Sequence, residues 1–178
     1  MAEKKAKQPN FLIREAIDTD LPVLVEFLAK LALHVAGSAP KTLKEGEYQR
    51  LLEVLHSALG DENKHLLVAE QPGRGLIGMG YVYVWRSQGI WEQVEPVEYR
   101  SAVIDDVWVE PEFRSLGVFR ALLKHLVAFA ESHHAHELVL EYAATNKQAK
   151  AVWTRMGFET IGVRASAFTS TVKAALAE

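Results

Sequence analysis

Asp105 and Asp106 interrupt an apolar run, Ala102 to Val109, whose hydrophobicity suits a central β-strand. A carboxylate inside a sheet is costly unless it is bonded to backbone or basic groups, or is kept there to move a proton. Strict alternation predicts that the two face opposite ways, Asp105 with Val107 and Val109, Asp106 with Trp108, so that one at most points at a given site. Either is a candidate general base. Glu141 and Tyr142 at the end of the next strand, and His34 near the end of the first helix, are the runners-up.

The same strand runs into a second kind of chemistry. After Val107, Trp108 and Val109, a turn broken by Pro111 leads through Arg114-Ser115-Leu116-Gly117-Val118-Phe119-Arg120 into an amphipathic helix. The first turn of a helix has N–H groups with no internal acceptor and the positive end of the helix dipole, which suits a pyrophosphate. Gly117 would let the anion approach the backbone, and Arg114 adds charge. Phe119, Leu122, Leu123, Leu126, Val127 and Ala130 recur at helical spacing, so Phe119 reads as the first residue of the core-facing stripe. Were it beside a ligand instead, its ring would narrow the turn.

A third segment, Asn146 to Phe158, reads as a short helix capped by Thr145 or Asn146, stopped by Gly157, with Ala149, Val152, Trp153 and Met156 as its apolar stripe. Arg114 and Gly117 resemble the acyl-CoA-binding motif Gln/Arg-x-x-Gly-x-Gly/Ala of the GNAT acetyltransferase superfamily, with Phe119 where Gly or Ala is usual. Asn146 to Phe158 resembles the second GNAT signature, Asn-x-x-Ala-x-x-x-Tyr-x-x-x-Gly-Phe, with all spacings kept and Trp153 in place of Tyr. The two signatures stand in the family's order with Leu138-Val139-Leu140 between them, and the resemblance extends over about residues 10 to 173.

The resemblance implies an α/β fold with a mixed, twisted sheet flanked by helices on both faces, and acetyl transfer from acetyl-CoA to an amine by direct attack in a ternary complex. It implies acetyl-CoA as co-substrate and no metal. Residues 107 to 109 would pair with pantetheine, amides from Ser115 to Arg120 would hold pyrophosphate, and Asn146, Ala149 and Trp153 would line the cofactor arm. The Val109 N–H would stabilise the oxyanion. Asp105, Asp106 or Glu141 would help deprotonate the amine. An indole cannot act as the general acid that the usual Tyr hydroxyl supplies, although a thiol of pKa ~8.5 leaves tolerably as thiolate. Phe119 and Trp153 therefore keep two other readings open: a non-catalytic acyl-CoA-binding regulatory module, and a structural oligomer subunit with a vestigial site.

The elements that must position these residues are also legible. Phe11 to Ile17 reads as a strand, and Asp18-Thr19-Asp20 before Pro22 as the start of a helix with Leu21, Leu24, Leu28, Leu31 and Val35 on one face. A second helix is expected from about Glu45 to Leu59, then a strand from His65 to Glu70. Tyr81, Tyr83 and Trp85 share one face of a further strand, either packed under a helix or, with Trp91 and Tyr99 of the following loop, forming an acceptor pocket with His34. Glu92, Glu95 and Glu98 in that loop would favour a cationic amine but are equally a solvated face. Family order then calls for a closing strand or strand pair between Glu159 and Lys173.

Other constellations carry less. His133, His134 and His136 fall at a helix end and suit its negative terminus better than a metal. Gly75, Gly78 and Gly80 precede strand residues, so they are turn and strand glycines and not a dinucleotide fingerprint. No Gly-x-Ser-x-Gly elbow supports hydrolase chemistry. The chain has 178 residues, 49% of them hydrophobic, enough for one core. Its net charge of -3, without a basic run, argues against nucleic-acid or membrane partners. There is no cysteine to form a disulfide or thiol nucleophile. The expectation is a cytoplasmic protein with a mobile tail over residues 1–10, a single domain over 11–178, a small-molecule or peptide amine as substrate, and an oligomeric state left open, homodimer included.

Overall fold

Period-two and period-3.6 hydrophobic patterns sort the chain into strands and helices that the computed structural model arranges around one mixed sheet. Residues 10–36, 43–86, 99–162 and 165–176 are described. The expected N-terminal tail, Trp91 and the three loop glutamates lie outside them. The chain divides into two compact units, Met1–Glu141 and Tyr142–Glu178.

The first unit contains β1 (Leu12–Glu15), α1 (Leu21–Ala36), α2 (Glu47–Ala58), β2 (Lys64–Gln71), β3 (Gly75–Arg86), β4 (Arg100–Val109), α3 (Val118–Ser132) and β5 (Glu137–Val139). The five strands lie in the order β1-β2-β3-β4-β5, antiparallel except for the parallel pair β4–β5. Alternation gives each strand one apolar set per face. Leu66, Val68, Met79, Tyr81 and Trp108 pack beneath α1 and α2 with Leu21, Leu24, Val25, Phe27 and Leu55. The α1 stripe differs from its sequence reading: Val25 and Phe27 are buried, whereas Val35 is exposed.

On the opposite face, α3 buries Val118, Leu122, Leu126 and Ala130. The stripe begins at Val118, with Phe119 only half-buried beside it, so the core position belongs to the earlier residue. Gly80 makes this helix–sheet approach close, since a Cβ there would stand 3.2 Å from Leu126 Cδ1. Gly78 serves strand pairing, where a Cβ would meet the Trp108 carbonyl at 2.8 Å.

A short 3-10 turn at Asp18–Asp20 leads into α1, and Asp20 is buried there. Arg14 grips it with two hydrogen bonds, Nη1 to Oδ2 at 2.6 Å and Nη2 to Oδ1 at 3.0 Å, while Nε donates to Glu70 at 2.7 Å. The Ile17 N–H adds a bond to Asp20 at 2.9 Å. Burial alone would push the Asp20 carboxyl up, but these bonds outweigh it and hold the group below its ordinary value.

The second unit contains α4 (Lys147–Arg155) and α5 (Thr169–Ala175). The closing strand expected between Glu159 and Lys173 is absent among the described residues, and α5 stands where its C-terminal part was placed. Family order alone called for a strand here, whereas Lys173, Ala174 and Ala175 favour helix, and a helix pairs its own backbone without a neighbouring strand. Among the described residues no helix is long and apolar enough to cross a membrane.

Candidate active site

Parallel pairing between β4 and β5 is brief. Ser101, Ala102 and Val103 stand opposite Glu137, Leu138 and Val139, and β4 then continues to Val109 with no β5 partner among the described residues. Its far edge is therefore available to a ligand's amides. Orientation follows from the next residue: the Glu110 N–H bonds back to Ile77 on β3 at 3.0 Å, so the N–H and C=O of Val109 point the other way, to the open edge. Two residues earlier, Val107 presents its backbone to the same side.

The register of β4 against β3 shifts at the paired aspartates. Ile104 faces Val82 and Asp106 faces Tyr81, leaving Asp105 as an additional residue, a β-bulge. One step of alternation is lost there. Ala102 and Ile104 lie on the α3 side, opposite Val84 and Val82, while Asp106 and Trp108 lie on the α1 side, opposite Tyr81 and Met79. Asp105 projects with Asp106 towards Tyr81 and Tyr83, which corrects the expectation that the two carboxylates take opposite faces. Strict alternation holds only for an unbroken ladder.

The electrostatics match that placement. Burial pushes the Asp106 carboxyl up to about 6, with the charge of Asp105 adding to the effect. Asp105 is more exposed and is also raised, by burial and by Glu141. Burial and the charge of Asp105 push the Tyr81 phenol up to about 12, and Tyr83 is raised by burial and then by Asp105 and Glu141. The two phenol rings lie 6.0 Å apart. His34 meets the edge of Trp108 at 6.2 Å, near the open end of β4. Glu141 lies two residues beyond the end of β5. Trp85 stands apart at the Arg100 end of β4, exposed beside a shallow hollow formed with Asp61, Asn63, Arg86 and Arg100.

Beyond Val109 a 3-10 turn, Pro111–Phe113, leads into the cradle. Ser115 at φ 63° and Gly117 at φ 90° are both left-handed, which curls the backbone into a concavity before α3. Among the described residues the N–H groups of Ser115, Leu116 and Gly117 have no protein acceptor. Space above Gly117 is open, since a Cβ there would meet nothing within 4 Å. Exposed amides, left-handed curl and a helix start fit a pyrophosphate.

Arg114 is partly committed to structure. Its Nε donates to the Val109 carbonyl at 3.0 Å, and its guanidinium lies 4.9 Å over the Trp108 ring. Glu110 accepts from Trp108 Nε1 at 3.4 Å and pairs with Lys30 of α1. Sequence reading missed this strut. Lys30 and Glu110 are 80 residues apart and neither belongs to a local motif, so only the fold could join them.

In the second unit, Asn146 caps α4 by accepting from the Ala149 N–H at 2.9 Å, which leaves its side-chain N–H₂ free of that bond. Gly157, at φ 94°, ends the helix. Trp153 packs edge-on against Phe158 at 5.2 Å. His133 bonds back to the Phe129 carbonyl at 2.9 Å, and His136 accepts from the Arg100 N–H at 3.3 Å and stacks on Tyr99 at 5.0 Å.

The sequence profile of the Acetyltransferase (GNAT) family matches residues 30–158. No curated protein matches the chain by sequence. Among solved structures, a transcriptional regulator from Bacillus halodurans C-125 superposes with a TM-score of 0.68 at 21% identity, covering 89% of this chain and 99% of that one. A predicted acetyltransferase from Clostridium acetobutylicum, solved with acetyl-CoA, gives 0.70 at 19% identity over 89% and 96% of the two chains. Glucosamine-6-phosphate N-acetyltransferase from Arabidopsis thaliana gives 0.63 at 17% over 90% and 99%. At such identities the likeness is one of fold.

Proposed function

Because the chain belongs to the GNAT acetyltransferase family, we propose that it transfers an acetyl group from acetyl-CoA to an amine by direct attack, with Asp106 as the proton acceptor. The observation that carries the reading is the continuity of β4: an edge without a strand partner, with Val109 turned outward, runs directly into a left-handed turn with exposed amides. Acetyl-CoA supplies an activated acyl group. The chain's own residues bind, orient and move the proton.

Backbone groups of residues 107 to 109 line the pantetheine arm, with the Val109 carbonyl kept by Arg114, and the amides from Ser115 to Arg120 take the pyrophosphate. The Val109 N–H donates to the acetyl carbonyl oxygen, where negative charge builds as nitrogen approaches. An amine of pKa ~10 arrives protonated at neutral pH, so a carboxylate must first take a proton from it. Asp106, poised at about 6, is ionised at pH 7 and basic enough to do so. A C–N bond forms, the attacking nitrogen gives its second proton to water, the C–S bond breaks, CoA leaves as thiolate and takes a proton from water, and Asp106 returns its proton to solvent. Trp153 replaces no part of that proton path.

Gly117→Glu tests the cradle. Charge repulsion at the pyrophosphate and strain at φ 90° should abolish acetyl-CoA binding by calorimetry while the melting transition is largely kept. Unchanged affinity would remove the proposed site. The regulatory reading, favoured by Trp153, predicts acetyl-CoA binding without CoA release for any amine.

A further inference from the structure

We propose that the acceptor is an aliphatic amine bearing a second positive charge, a terminal diamine in type, lying along Tyr81 and Tyr83 with Asp105 and Asp106 at its nitrogens. This rests on the acyl-transfer reading for the role of the site but not for the binding chemistry.

Three placements converge on it. The bulge puts two adjacent carboxylates on one side of the sheet instead of opposite faces, although neighbouring like charges repel. Neither the exposed Asp105 nor the half-buried Asp106 has a hydrogen bond or ion pair with a basic group among the described residues, whereas Asp20, buried on this side of the sheet, has Arg14. A buried charge without a partner is costly, and a ligand cation would offset that cost. Independently, Tyr81 is only 7% exposed, and among the described residues its hydroxyl has no hydrogen-bond partner. Its ring lies opposite Asp106 in the ladder, and the charges of both aspartates act on it. A buried phenol left unbonded beside two unpaired carboxylates marks a place built for a polar, positively charged visitor.

The substrate class follows. One carboxylate, Asp106, is occupied with the reacting nitrogen. Asp105, more exposed, holds its charge for a second group, and Glu141 reinforces the negative field around it. The faces of Tyr81 and Tyr83 suit methylenes and a cation lying over them. An amino acid would bring its own carboxylate into the same field and be repelled. The group transfer is that already described, with nothing oxidised or reduced.

The test compares three acceptors of one chain length: the diamine putrescine, its monoamine analogue butylamine, and the amino acid γ-aminobutyrate, each assayed for CoA release from acetyl-CoA. Putrescine should exceed butylamine in kcat/KM by about tenfold or more, as one added charge-assisted hydrogen bond provides, and γ-aminobutyrate should be poorest. Asp105→Asn should bring the putrescine-to-butylamine ratio towards one, whatever the absolute rates. Equal kcat/KM for diamine and monoamine in the native protein would overturn the diamine proposal and leave acyl transfer standing. If no amine releases CoA, acyl transfer falls, and calorimetric titration of putrescine and butylamine in the presence of CoA decides the remainder. Tighter putrescine binding, weakened in Asp105→Asn, supports the cation site; equal or undetectable binding of both removes it.

Discussion

Asp20 and Asp106 are two acids on the same side of one sheet, and they answer burial in opposite ways. Asp20 is met by both terminal nitrogens of Arg14 and by the Ile17 N–H, and its carboxyl is held low despite burial. Asp106 is met by Tyr81 and by another aspartate, and its carboxyl is pushed up to about 6. The first arrangement fixes the β1–α1 corner in place. The second stores unfavourable electrostatics, as sites that move a proton do. Burial alone distinguishes neither; the partner does.

The largest effect that would test the contrast is on turnover. Asp106→Asn keeps shape but cannot accept a proton, so kcat should fall by roughly 10²–10⁴, with the protein at least as stable as the native chain at pH 8. A variant that is inactive because it is unfolded would place Asp106 with Asp20 as a structural acid, and a thermal melt alongside the assay separates the outcomes. Normal turnover would move the proton to Glu141 or Asp105.

Next in size is an attempt to convert one acid into the other. Arg14→Met leaves Asp20 buried without its cation, which should cost about 2–4 kcal/mol by denaturant unfolding at pH 7. The pH dependence should change sign with it. In the native chain Asp20 has a depressed folded value, so its contribution is present above the ordinary carboxylate range and is lost as pH falls through the depressed one. Without Arg14, burial dominates and the group should favour the folded state only when protonated. Asp106 already behaves so: its contribution is complete below its ordinary 3.8 and is lost as pH rises through about 6. Asp106→Asn should therefore gain on the order of 1–3 kcal/mol relative to the native chain between pH 4 and pH 8. A flat difference would contradict the burial of this carboxylate.

How far the sequence reached follows the same division between local and non-local causes. The strand–turn–helix at Val107 to Arg120, the Asn146 cap and the Gly157 stop are set by neighbours along the chain, and they were readable as spacing. That the sheet is mixed followed from family likeness and not from periodicity. What escaped depends on contacts across strands. The bulge at Asp105 arises from the register of β4 against β3 and reverses a facing that strict alternation assigns. Likewise the Lys30–Glu110–Trp108 strut joins α1 to the end of β4 without a local signal. Val118 displaced Phe119 from the core because a helix's first turn is oriented by what it packs on, and α5 replaced a strand because Lys173 to Ala175 propagate a helix that β-branched neighbours only weakly oppose.

The smallest effect separates the two causes that raise Asp106. Burial is the larger and the charge of Asp105 the smaller, so neutralising Asp105 should lower the Asp106 value while leaving it above the ordinary carboxylate range. In Asp105→Asn the acid limb of kcat, which falls with decreasing pH as Asp106 takes a proton and can no longer serve as base, should therefore move to lower pH. Its direction is diagnostic. With both side chains on one face, loss of a neighbouring negative charge must make Asp106 easier to ionise, whereas with the two on opposite faces of a close-packed sheet the limb would barely respond. A diamine substrate, bringing its own positive charge, should produce the same downward displacement in the native chain, and the displacement should shrink in Asp105→Asn, where part of the repulsion it relieves has already been removed. A limb that does not move on neutralising Asp105 would mean that the bulge does not bring the two carboxylates together, and Asp106 would then differ from Asp20 only in lacking a basic partner.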